Sequence, residues 1–370
     1  MSQKYLFAAL LGVFSVLSSG VYCYGIDTRG IEVVRSKGVL DSPDLQTIDR
    51  FVAESLDELI HTQNFSSIAN ARSIILACCS SKEPGQQQYS QQFGESAKRH
   101  IASAIAEVEG LSDQARKAKV LTNLLILVDG LGDVRLVELA LPYLKSDDKV
   151  IGYWAAHSVT NDAIYKQLDS EGLEGEKTAG RIADELGRAV ETSGAETLAL
   201  MVDFASKLKI HQGEELLLKI ADVRISRYED WKVRYELLDV DVLRELAVKM
   251  KSSDAGASEA GRRFGQLLSF VFQRYVKGIA HLSEVQKQRL LTVLIETERN
   301  CIGQLLKPQT AVKRAIAADD SDALMAEHNR LLGNGTKAGE LGIRYGDSNG
   351  GVSKSSPRVL ADPPARSAQQ

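Results

Sequence analysis

The chain has 370 residues, 44% hydrophobic and 25% charged, with 45 Lys and Arg against 49 Asp and Glu. A net charge of -4 and a pI near 6.0 leave no global pull toward nucleic acid or anionic lipid, so any basic face is local. Four cysteines do not make a disulfide framework, and a chain with 6% aromatics and 7 prolines is free to be helical.

In chain order, Lys4 precedes an apolar run from Tyr5 to Leu17 that exits through Ser18-Ser19-Gly20. A charged start, a short apolar core and a small-residue exit predict a secretory signal peptide over residues 1–25, cut after Gly20 or Gly25. The run falls short of the roughly 20 apolar residues that span a bilayer. The mature chain is therefore expected to be exported, periplasmic or secreted, with no membrane span. Cys23 follows Tyr22, where an acylated lipoprotein signal needs a small residue.

Residues 26–41 form a mixed N-terminal extension. Ser42-Pro43-Asp44 predicts a helix start, with Ser42 as the cap. Leu45, Ile48, Phe51/Val52, Leu56 and Leu59/Ile60 then fall at the three-and-four spacing of one buried face. A second stripe covers 68–78, and the glutamine-rich stretch 82–92 reads as a polar loop. Phe93, Ala97, Ile101, Ala104 and Val108 make the next stripe. The nearly continuous apolar run 120–128 predicts a helix buried on most sides and ended by Gly130. Further stripes continue through Leu305, and no segment alternates with period two. The fold class is all-α, with residues 42–332 as the helical body. From Gly333 onward, glycines, serines and prolines dominate. Residues 333–370 read as a disordered tail that cannot bury enough apolar surface to offset its ordering entropy.

Residues 131–160 carry a more specific pattern. Leu131-Gly132-Asp133-Val134-Arg135 leads into Leu136, Val137, Ala140, Leu141 and Leu144. An Asp147-Asp148 turn follows, then Ile151, Ala155-Ala156 and Val159. This stretch resembles one HEAT repeat, in which a helix opening on Gly-Asp-x-Arg pairs with a second helix packed through small residues. Gly152 stands where that family usually has arginine. The resemblance implies an α-solenoid of stacked antiparallel helix pairs, because a lone pair leaves both faces uncovered. The other stripes keep no fixed period, so degenerate repeats and an irregular helical bundle both fit.

Candidate chemistry is thin. Glu58 and His61 form a single Glu-x-x-His step, where a di-iron site needs two such steps and two more carboxylates. His211-Gln212-Gly213-Glu214-Glu215 lacks the second histidine of an inverted zinc motif. Asp129 and Asp133 flank a turn without the further oxygens of a calcium loop. Arg224, Arg227, Tyr228, Trp231, Lys232, Arg234 and Tyr235 interleave bases with aromatics, but Tyr228, Trp231, Tyr235 and Leu238 are helically spaced and read as core. No catalytic, cofactor-binding or metal-binding residue is predicted, and no cofactor. Tyr153, Trp154 and His157, on the second helix of the HEAT-like unit, are the candidate partner-binding surface, as residues that line the concave face through which repeat stacks bind. The sequence thus predicts a non-catalytic scaffold for a protein or peptide partner, not a nucleic acid. A helical hydrolase or lyase with dispersed residues and a structural cell-envelope component are the alternatives.

Overall fold

Short polar side chains set where seven of the helices begin. Asp41, Asn64, Asp113, Asp148, Asn161, Ser283 and Asp320 each accept a hydrogen bond from a main-chain N–H in the first turn that follows, which satisfies donors that have no partner within the helix. The computed structural model describes residues 26–80, 82, 87–252, 256–346 and 354–364. The predicted signal peptide at 1–25 lies outside them. Among the described residues the fold is all-α, with only two isolated β-bridges, Gly333–Ala338 and Tyr345–Lys354.

The chain divides into two compact units, the first ending at Phe93. In the first, α1 (Arg29–Val34) packs on α2 (Ser42–His61), and α2 on α3 (Phe65–Cys78). The α2 stripe is buried as its spacing predicts, with Ile48, Val52, Leu56 and Leu59 shielded from solvent. Its cap is Asp41 rather than Ser42. Asp44 returns a bond to the Asp41 N–H, closing a capping box, and its carboxylate also holds Lys37 at 2.6 Å. The expected loop over 82–92 is helical from Gln87, where α4 (Gln87–Glu109) starts. Tyr89 accounts for this: it is buried, and its hydroxyl donates to the Cys78 carbonyl at 2.8 Å.

The second unit takes the remainder of α4, α5 (Gln114–Leu131), α6 (Val137–Ala140), α7 (Lys149–Thr160), α8 (Asp162–Ser170) and α9 (Leu173–Ala189). It continues with α10 (Ala195–Lys207), α11 (His211–Glu229), α12 (Leu238–Met250), α13 (Gly256–Gly278) and α14 (Glu284–Thr297). A π-helical turn at Glu298–Ile302, α15 (Gly303–Leu305), α16 (Ala311–Ala317) and α17 (Ser321–Leu332) complete it. Neighbours cover one another's apolar faces: α5 packs on α7, α7 on α10, α10 on α11, and α13 is covered by α11, α12, α14 and α17. The 120–128 run is buried on most sides as expected, with Val120, Leu121, Leu124, Leu125, Leu127 and Val128 inside. The helix ends two residues later than predicted. Gly132, not Gly130, adopts the left-handed conformation (φ 55°) and returns its N–H to Val128 and Asp129.

In the HEAT-like stretch, the second helix forms as one piece, α7. The first is broken into a 3-10 turn (Val134–Leu136), α6 and a second 3-10 turn (Leu141–Tyr143). Pro142 is one cause, since its ring removes an N–H and crowds the preceding turn. Leu136, Val137, Ala140 and Leu144 are nevertheless buried, and α6 packs on α7.

Composition predicts no packing beyond Gly333, yet Ile343, Tyr345, Pro357 and Leu360 are buried. The reason is polar as well as apolar: α13 carries buried glutamines whose bonding capacity is met by this segment's main chain. Residues 347–353 and 365–370 lie outside the described residues.

Candidate functional site

The three residues singled out on α7 come together. Ile151, Gly152, Ala155, Ala156 and Val159 are the buried side of the helix, and buried Ser158 ties it to α5 by donating to the Leu125 carbonyl at 2.9 Å. The opposite arc presents Tyr153, Trp154 and His157, each partly exposed. Tyr153 meets Trp154 edge to face, with centroids 5.5 Å apart at 83°, and the His157 ring lies 5.3 Å from Trp154 and 5.8 Å from Tyr153. Such packing fixes the rings while leaving each partly exposed.

His157 is anchored from α5. Its Nδ1 lies 2.7 Å from Asp129 Oδ1, and the Asn161 amide donates to the same oxygen at 2.8 Å. The hydrogen bond to Asp129 raises the His157 pKa above its ordinary 6.5, with partial burial opposing it. In the sequence Asp129 reads as a turn residue, and its 28-residue separation from His157 carries no periodic signal of this pairing. An imidazole held by a carboxylate is also the orienting half of a nucleophilic triad. Here the neighbouring Ser158 hydroxyl is buried and donates instead to main-chain carbonyls.

The basic and aromatic run is resolved into two parts. Tyr228 and Leu238 are buried, as a core stripe requires, and Arg224, expected to flank that stripe, is buried with them. Trp231 and Tyr235 leave that stripe, because α11 stops at Glu229 and both residues adopt positive φ (58° and 54°) in the connection to α12. Tyr235 is half exposed. A positive φ costs a bulky residue energy and is retained where surrounding contacts impose it.

The remaining sequence candidates stay dispersed. His61 pairs with Asp57 within α2, and His211 with Glu215 within α11, all at the surface. Among the described residues no group of three or more His, Cys, Asp or Glu is placed to hold a metal ion, and no helix is long and apolar enough to cross a membrane. Cys78, Cys79 and Cys301 are free thiols. No protein-family model matches the chain, and no curated protein matches it.

Proposed function

We propose that this chain is an exported, non-catalytic scaffold of degenerate HEAT-like helix pairs that binds a protein or peptide through the Tyr153–Trp154–His157 face of α7. The observation that carries the reading is the ring cluster itself: three adjacent, partly exposed rings, one of which, His157, is held by Asp129. Aromatic side chains held rigid before contact lose little conformational freedom on binding, which is why such residues dominate interface energetics. Export rests on the residue pattern at the N-terminus, and the HEAT-like reading on residues 131–160 and the packing of α7 on its neighbours.

Affinity capture from the exported fraction tests this, with the native chain beside Tyr153→Ala and Trp154→Ala. The expected result is a specific polypeptide held by the native chain and lost from both variants, while their thermal unfolding stays cooperative. Capture of the same set by all three, or turnover of a substrate by the native chain, overturns it.

A further inference from the structure

The last described segment is bound in the manner of a peptide ligand. Gln266 and Gln273 lie seven residues apart on one face of α13. Gln266 Oε1 accepts the Arg358 N–H at 2.8 Å, and Gln273 Oε1 accepts the Leu360 N–H at 2.7 Å. The Gln273 amide donates to the Arg358 carbonyl at 3.1 Å, Lys277 Nζ to the Leu360 carbonyl at 2.5 Å, and the Trp231 indole to the Ala361 carbonyl at 3.1 Å. Every one of these contacts reads main chain. Side-chain contacts are made by Pro357 and Leu360, which are buried, by Arg358, which is exposed but pairs with Glu229 at 2.6 Å and lies over the Phe270 ring, and by Asp362, 3.3 Å from Lys277 Nζ, while Val359 faces solvent. Inward positions three apart match the polyproline II repeat rather than the two-residue repeat of a strand.

Part of the receptor side is held from within the helical body. Gln273 also donates to Ser269 Oγ at 2.8 Å, and Ser269 in turn lies 2.7 Å from Nε2 of buried His328 on α17. Past Ala361 the segment reaches a cavity of about 510 Å³ lined by Trp231, Lys232, Arg234, Arg274 and His281, with Pro363 and Pro364 at its edge. Arg274 is almost fully buried there; its Nε and Nη1 have no hydrogen-bond partner, and Glu236, its nearest carboxylate, stands 3.9 Å away. The chain beyond Asp362 contains no Asp or Glu.

We propose that this face of α13 is a binding groove for an extended Pro-x-x-Leu polypeptide segment with a carboxylate side chain two or more residues after its Asp362 equivalent. The chain's own residues 356–362 are its resident occupant. The groove is separate from the α7 ring cluster and stands whether or not that cluster binds anything.

The test uses the full chain with a protease site placed within 347–353, cut after folding. A labelled peptide of sequence Ser-Pro-Arg-Val-Leu-Ala-Asp-Pro-Pro is then added, alongside one with Glu in place of the last Pro, and binding is read by fluorescence anisotropy. Saturable exchange into the cut chain is expected, with little binding to the uncut chain. The Glu peptide should bind at least about fivefold tighter, as a new charge-assisted contact implies. Gln273→Ala in the cut chain should weaken both peptides by about tenfold or more, as loss of two buried main-chain bonds implies. If the severed fragment leaves only when helical circular dichroism is lost, or if both peptides bind cut and uncut chains alike, there is no groove. Equal affinity of the two peptides removes the carboxylate from the proposal.

Discussion

Arg224 and Asp239 form a bidentate ion pair with no solvent exposure on either side chain, Nε to Oδ1 at 2.6 Å and Nη2 to Oδ2 at 2.9 Å. The Tyr228 hydroxyl donates to the same carboxylate at 2.6 Å, and Arg224 Nη1 donates to the Arg234 carbonyl at 3.0 Å. One guanidinium thus joins α11, α12 and the positive-φ connection between them. Asp239→Asn leaves a buried cation without its counter-charge. Urea denaturation should show a loss of about 3–5 kcal/mol, whereas Arg224→Met combined with Asp239→Leu should recover most of it, because two apolar side chains remove the desolvation cost along with the pair.

His157 gives the α7 cluster a pH dependence of known sign. Its folded pKa is raised, so the stabilisation from the Asp129 contact is complete below the ordinary value of 6.5 and is lost as pH rises through the higher folded value. Relative to His157→Gln, the native chain should therefore be more stable near pH 5.5 than near pH 8.5. Proton NMR of the His157 ring should give a midpoint above 6.5 that falls in Asp129→Asn. A midpoint at or below 6.5 in the native chain contradicts the pairing.

Glu298, in the π-helical turn, is buried and caps a helix from a distance. Its carboxylate accepts the Val312 N–H at 2.7 Å and the Lys313 N–H at 3.0 Å at the start of α16. Glu298→Gln removes the charge and turns an amide donor toward one of those N–H groups. The expected cost is about 1.5–3 kcal/mol, and hydrogen exchange at the Val312 and Lys313 amides should quicken selectively.

Gly175 allows α9 to approach α8 closely. A Cβ there would lie 1.9 Å from the Leu168 carbonyl oxygen, a main-chain atom that cannot rotate aside. Alanine is the better helix former by about 1 kcal/mol, but overpacking of this kind costs about 1–3 kcal/mol. Gly175→Ala should lower the melting temperature, and an unchanged or raised value would contradict the close packing.

Helices whose stripes bury one face were legible because each face reports its own spacing; α2 and α5 lie where Ile48–Leu59 and Val120–Val128 place them. Their ends were less so, because ends depend on partners far along the chain. Asp41 outcompetes Ser42 as a cap since Asp44 reciprocates, and Gln87–Gln92 are helical since Tyr89 finds the Cys78 carbonyl. Trp231 and Tyr235 continue the Tyr228 spacing on paper, yet the helix they presuppose stops first. The α7 rings could be found because Tyr153, Trp154 and His157 sit within one helical turn, while Asp129, Gln273 and Leu360 carry no local sign of their contacts. Glycine and proline content hid the packing of 354–364, which is held in part by main-chain bonds that no side-chain pattern records.

A photo-crosslinking amino acid placed at Tyr153, with a second chain carrying it at the exposed Val285 as reference, tests the binding face most directly in the cells that make the protein. Irradiation should yield one discrete heavier adduct from position 153 in the exported fraction and none from position 285. Identical adducts from both positions, or none from 153, would contradict a partner seated on the rings of α7.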